Sequence, residues 1–160
     1  MDRIDKILNH DLFLYHLERN NAAEADRRFC RHSMVHFLDV ARIGTIIALE
    51  EGLKIDREWI YAAALLHDCG KHEQYENGTP HEQASARIAP EILKACGFDD
   101  EETGVIVTAI SRHRDPEAAK EKNLNGILYR ADKASRACFV CDAEKDCNWK
   151  DGKKNLTIKY

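Results

Sequence analysis

The stretch Tyr61-Ala-Ala-Ala-Leu-Leu-His67-Asp68-Cys-Gly-Lys71 constrains this chain more than any other. An apolar run with high helix propensity ends on an imidazole and a carboxylate. Gly70 follows and reads as the helix C-cap, because glycine takes positive φ without a Cβ penalty. Burying His67 and Asp68 beside so much alanine and leucine is costly unless something neutralises and orients them. A metal ion would do both. Taken alone, the pair also has an ordinary reading: a surface helix end, with Asp68 solvated and His67 a hydrogen-bonded core histidine.

Other polar residues stand in equally apolar rows. Almost every segment has helical rather than alternating periodicity, so the expected fold is all-α, a bundle of about six helices. A first helix is expected from Asp2 to about Glu18, with Ile4, Ile7, Leu8, Phe13, Leu14 and Leu17 available for burial. His10 and His16 lie there among polar residues and read as solvated. Asn20-Asn21 breaks the pattern. A long helix follows from about Ala22 to Glu51, on which His32, His36 and Val40 share a face at four-residue spacing. The next helix starts at Asp56, a good N-cap, and runs to His67-Asp68. Lys71, His72 and Glu73 lead into a polar loop. Thr79-Pro80-His81-Glu82 then reads as a capping box with proline in the first helical position. His81 opens that helix, which stops at Gly97. Asp99 or Asp100 caps another, where His113 closes the stripe of Ile106, Ala109 and Ile110. Pro116 to Asn123 reads as a solvated loop. A last helix spans about Leu124 to Cys138 and sets Asp132 in line with Leu124 and Leu128. An unpaired buried carboxylate is expensive, so Asp132 calls for a cation. The end of the chain, Asn155 to Tyr160, is either a short strand or disordered.

Composition narrows the classes. A length of 160 residues fits one domain, with a core over about residues 22–136 and a cysteine-containing tail over 137–160. The net charge of -4 gives no global basic field for a nucleic-acid polymer or an anionic membrane. No long uncharged apolar run and no secretory h-region is present, so a cytoplasmic location is expected. Six cysteines then read as reduced thiols. Cys138, Cys141 and Cys147 have metal-type spacing, but a tetrahedral zinc site wants four ligands and none follows locally. Free thiols packed at a chain end are the default.

The order His36 … His67-Asp68 … Asp132 resembles the HD-domain superfamily of metal-dependent phosphohydrolases. His36-Phe-Leu-Asp-Val40-Ala41 is similar to its first motif. Ala64-Leu-Leu-His67-Asp68-Cys-Gly-Lys71 is similar to the HD doublet with its trailing Gly and Lys, and Tyr129-Arg-Ala-Asp132-Lys133 to the distal Ala-Asp-Lys motif. His81 and His113 sit where branches with extra metal ligands carry two further histidines. The branch that hydrolyses cyclic dinucleotides has a paired His and Gly-Tyr-Pro near the His113 position. Here Ser111-Arg-His113-Arg-Asp-Pro stands instead, which disfavours it. The short bacterial proteins that split diadenosine polyphosphates are nearer in pattern.

The resemblance implies an HD-like helical bundle around a metal site, with His36, His67, Asp68 and Asp132 holding a first metal. Asp68 would bridge to a second metal held by His81 and His113. This donor set suits Fe, Mn, Co, Ni or Zn, with Mg a further candidate. Asp68 and Lys71 are the expected catalytic residues. Lys71, His32, Arg31, Arg112 and Arg114 are the expected contacts to a small phosphorylated substrate, with a nucleotide favoured. Cys69, beside the doublet, reads as a packing residue rather than a nucleophile. A non-catalytic metal-containing sensor or scaffold is the competing reading. Both monomer and homodimer remain open.

Overall fold

The computed structural model covers residues 1–160 and contains eight α-helices and no strand. They are α1 (Asp2–Leu8), α2 (Asp11–Ala23), α3 (Met34–Glu50), α4 (Arg57–Leu66), α5 (Lys71–Asn77), α6 (His81–Ala95), α7 (Asp100–Arg112) and α8 (Leu124–Ala134). Short 3-10 turns occupy Pro116–Lys120, Cys138–Val140, Glu144–Asp146 and Asp151–Lys153. No helix is long and apolar enough to cross a membrane.

Helix α4 is the axis. Ile60, Ala62, Ala63, Ala64, Leu65 and Leu66 are all buried, and a helix apolar on every side belongs in the centre. Around it pack α3, α7 and α8, with α1 against its outer side and α6 against α7. Phe37, Val40 and Ile47 from α3, Ile106 and Ile110 from α7, and Ile127 and Leu128 from α8 complete the core. Small residues let these helices come close. A Cβ on Gly44 would stand 2.9 Å from Ile60 Cγ2 and 3.1 Å from Ile127 Cγ2, at the junction of α3, α4 and α8.

Several elements differ from the sequence expectation, each for a local reason. The first helix is two. His10 takes an extended conformation, and its Nδ1 accepts from the Leu12 N–H, capping α2 afresh. Leu14 is exposed as a result. His16 is buried rather than solvated, with its Nδ1 2.8 Å from His72 Nε2. Burial pushes its pKa down to about 4. Asn20 does not break the helix. It is fully buried inside α2, donating from Nδ2 to the Asp68 carbonyl at 2.8 Å and accepting from the His72 N–H at 2.8 Å.

The long second helix begins only at Met34. The segment before it is a loop gathered by Glu24, whose carboxylate accepts from the His32 backbone N–H at 2.6 Å and from Tyr75 Oη at 2.7 Å. The expected loop after Lys71 is the short helix α5, ended by Gly78 in the left-handed region. The Thr79 capping box does not form. Thr79 Oγ1 donates to Asn77 Oδ1, and α6 starts without a side-chain cap. The cap expected at Asp99 or Asp100 is Asp99, which forms a capping box with Glu102. Helix α8 stops at Ala134, and residues 155–160 form no strand, though Asn155 is anchored. Asn155 Nδ2 donates to the carbonyls of Lys133 and Arg136 at 2.7 and 2.9 Å.

Gly70 is not a left-handed C-cap. Its φ is -87°, and it starts α5. A Cβ there would lie 2.7 Å from Ala84 Cβ and 2.8 Å from the Ser85 backbone nitrogen. The glycine is needed so that the turn after Asp68 can press against α6. Ser85 Oγ accepts the Gly70 N–H at 3.0 Å and locks that approach.

Candidate metal centre

Three helix ends and two helix interiors deliver the histidines and carboxylates to one point. His67 caps the C-terminus of α4, and His113 that of α7. Both use the same device. Carbonyls in the last turn of a helix lack an intrahelical partner. His67 Nδ1–H donates to Ala64 O, and His113 Nδ1–H to Ile110 O, each at 2.7 Å. A proton is thereby held on Nδ1, and each Nε2 faces inward as the atom left to bind a metal.

His36 on α3 reaches the same state by another route. Ser135 Oγ donates to Asp132 O at 2.8 Å, so its lone pair is left to accept from His36 Nδ1–H at 3.1 Å. His81, at the start of α6, has Nδ1 2.5 Å from Gln74 Oε1, an acceptor. All four imidazoles thus turn Nε2 toward Asp68.

Asp68 lies between two groups. Its Oδ2 is 3.1 Å from His67 Nε2 and 3.7 Å from His36 Nε2. Its Oδ1 is 3.2 Å from His81 Nε2 and 3.6 Å from His113 Nε2. Asp132, on α8, completes the first group, with Oδ1 3.4 Å from His36 Nε2 and 3.8 Å from His67 Nε2. Asp68 and Asp132 are only 2% and 4% exposed. The donor atoms of His36, His67, Asp68 and Asp132 all lie within 4.8 Å of one another, as do those of Asp68, His81 and His113.

The donors fit a divalent ion on their own chemistry. His67 Nε2 and Asp68 Oδ1 are buried and lack a well-aligned hydrogen-bond partner. A buried polar atom in that state needs an explanation, and an ion is one. The electrostatics agree. Burial opposes charge on His67, yet Asp68 and Asp132 outweigh it and raise its pKa to about 10. Burial would likewise push Asp68 up, but His67 and His32 hold it well below the usual carboxylate range. Two buried carboxylates thus demand positive charge at this point. Burial keeps His81 neutral, with a pKa pushed down to about 3, which suits a ligand.

The other expected site residues divide. His32 Nε2 stands 3.7 Å from Asp68 Oδ2, brought there by the loop, with Nδ1 held by Glu24 at 2.6 Å. Lys71 is buried, with Nζ 3.1 Å from His81 Nδ1, and burial lowers its pKa. Arg114 lines the cleft above the site. Arg31 and Arg112 do not. Arg31 turns back to the carbonyls of Arg27 and Ala25, and Arg112 pairs with Asp115 and Glu121. Cys69 is fully buried, and burial pushes its thiol up to about 12, which rules out a thiolate nucleophile at neutral pH.

Sequence reasoning missed Ser135, Arg136 and Gln74. Arg136 Nη2 is 3.4 Å from both Asp132 Oδ1 and His36 Nε2. Its four-residue offset from Asp132 was a readable signal. Gln74 carried none, because its segment read as loop. The tail was missed too. A cleft of about 900 Å³ opens above Asp68 and Asp132, and its rim includes Trp149, Lys150 and Lys153. Arg27, Lys71, Arg114, Lys133 and Arg136 also line it, beside Phe29 and Tyr129.

A family model described as HD domain matches residues 34–147, and the chain belongs to that family. The HD domain defines a superfamily of metal-dependent phosphohydrolases. A relative from Clostridium beijerinckii, an uncharacterized protein, is 49% identical over 160 residues, the whole of both chains. No solved structure matches this chain significantly.

Proposed function

We propose that this protein is a metal-dependent phosphohydrolase that cleaves a phosphate ester of a nucleotide or a related small molecule. The observation that carries the reading is Asp68, whose two oxygens face two separate sets of imidazoles. His36, His67, Asp68 and Asp132 would hold one divalent metal, and Asp68, His81 and His113 a second. Bound there, such metals supply Lewis acidity and lower the pKa of water toward ~7, so no side-chain nucleophile is required.

The chain's own residues do the rest. Asp68 keeps the two sets in register, and Asn20 fixes its backbone from behind. Lys71 sits beside His81, where an ammonium would meet negative charge developing on a phosphoryl group. Arg114, Lys133 and Arg136 offer further contacts to phosphate oxygens, and Phe29, Tyr129 and Trp149 offer faces on which a base can stack. A cleft of about 900 Å³ has room for a nucleotide. The tail lines this cleft and α1 lends Ile4 and Ile7 to the core, so we read the whole chain as one domain. Six free thiols suit a reducing, cytoplasmic setting.

The test is release of phosphate or nucleoside from a nucleotide panel with Mn or Fe added, compared between the native protein and Asp68→Ala. Turnover that depends on metal and disappears in the variant is expected. A folded, metal-loaded protein with no turnover on a broad panel would favour the sensor reading instead.

A further inference from the structure

The tail has almost no core of its own. Ala143 is the one buried residue of 137–160, and Phe139, Val140, Leu156 and Ile158 are exposed. Yet it folds into three consecutive 3-10 turns against the rim of the cleft. Small elements without a core are usually stapled by disulfides or metals. No disulfide is present. Three of the six cysteines, however, lie in this tail.

Cys138 opens the first turn and Cys141 closes it, with Cys141 N–H donating to Cys138 O at 3.2 Å. Cys147 closes the second turn in the same way, donating to Glu144 O at 3.2 Å. The fourth thiol comes from the other end of the chain. Cys30, in the loop before α3, lines the cleft together with Cys138 and Cys147. Cys30 and Cys138 also line a neighbouring cavity of about 310 Å³ together with Cys141. An ion pair between Arg28 and Asp146 ties the two segments beside these thiols. All four thiols are at least partly exposed, unlike buried Cys69 and Cys96.

We propose that Cys30, Cys138, Cys141 and Cys147 form a second metal centre, a four-thiolate site for an iron–sulfur cluster or a single zinc ion. It would fasten the tail to the loop that carries His32. Four cysteines are the usual complement for either occupant. Arg28, Arg31 and Arg136 border the smaller cavity and offset the negative charge of a four-thiolate set. A zinc ion at about 2.3 Å from each sulfur needs the sulfurs roughly 3.8 Å apart. No three of these sulfurs stand within 4.8 Å of one another. A single zinc ion therefore requires the turns to close inward, whereas a cluster of several irons accepts a wider frame. The centre shares no ligand with the His/Asp site and does not depend on its function.

The full-length protein, purified without oxygen, is assayed for iron, acid-labile sulfide, zinc and visible absorbance. Asp132→Ala, which takes a carboxylate from the His/Asp site, should keep this second metal. Cys30→Ser and Cys141→Ser should each lose it while still retaining Mn at the histidines, with helical circular dichroism as the check on folding. Iron with sulfide and visible colour identifies a cluster; stoichiometric zinc without colour identifies the single ion. Retention in Cys30→Ser but loss in Cys141→Ser would overturn the four-ligand site. So would free reaction of four thiols with a thiol reagent in native protein, after anaerobic treatment with iron and sulfide or with zinc.

Discussion

Asp68 joins the two halves of the site because its carboxylate has two oxygens and the surrounding imidazoles have no second choice. Each Nδ1 is already committed to a carbonyl, a hydroxyl or an amide oxygen. At this scale the sequence was readable. His36, His67, Asp68, His81, His113 and Asp132 each interrupt or end an apolar row, and the fold brings all six together. What was not readable is which polar neighbours hold them, since Ser135 reaches His36 from 99 residues away and Gln74 sits in a segment that read as loop. Lys71→Ala should lower kcat/KM by about 10²-fold, the usual order for removing one charge-stabilising donor. Metal content should be unchanged; equal loss of metal and activity would make Lys71 a structural residue.

Glu24 makes a second residue-scale prediction. Burial would raise its pKa, but bonds from His32 and Tyr75 prevail and lower it from 4.5 to about 2. The unfolded chain therefore binds the proton first. Stability from Glu24 is complete above about pH 4.5 and is lost as pH falls toward 2. It amounts to something on the order of 2–3 kcal/mol. Urea unfolding of Glu24→Gln should show most of that loss near neutral pH and a flatter acid limb. An acid limb as steep as the native protein's would contradict the assignment.

Among the elements, α4 and α7 were legible because their apolar patterns and their caps at Asp56 and Asp99 agree. The break between α1 and α2 was not, since it rests on a histidine acting as N-cap. Nor was the loop before α3, which carries helix-forming residues but is held open by Glu24. There tertiary contacts override local preference. Gly70 tests how tightly α5 and α6 must meet. Gly70→Ala should destabilise the fold by roughly 1–3 kcal/mol, the range for forcing a methyl into a packed site. The neighbours of that methyl include α6 backbone at Ala84 and Ser85, which cannot swing aside as a side chain can. Thermal unfolding reads the effect; an unchanged midpoint would mean that α6 moves away freely.

At the scale of the whole molecule, a chain of net charge -4 still lines one cleft with seven lysines and arginines. Global charge therefore concealed the feature that bears on an anionic substrate. Lys150 and Lys153 come from a tail that carries no helical pattern, which is why they escaped the sequence reading. Replacing both with alanine should raise KM for a nucleotide several-fold at low salt and leave kcat nearly unchanged. The difference should shrink as salt rises and screens the exposed charges. A change in kcat alone would place the tail's role elsewhere.

The central claim is that Asp68 stands between metals held by the histidines. Anomalous diffraction from crystals grown with Mn tests it most directly. One peak should lie among His36, His67, Asp68 and Asp132, and a second among Asp68, His81 and His113, with Asp68 bound to both. Peaks that avoid Asp68, or a site that stays empty at saturating Mn, would contradict the account.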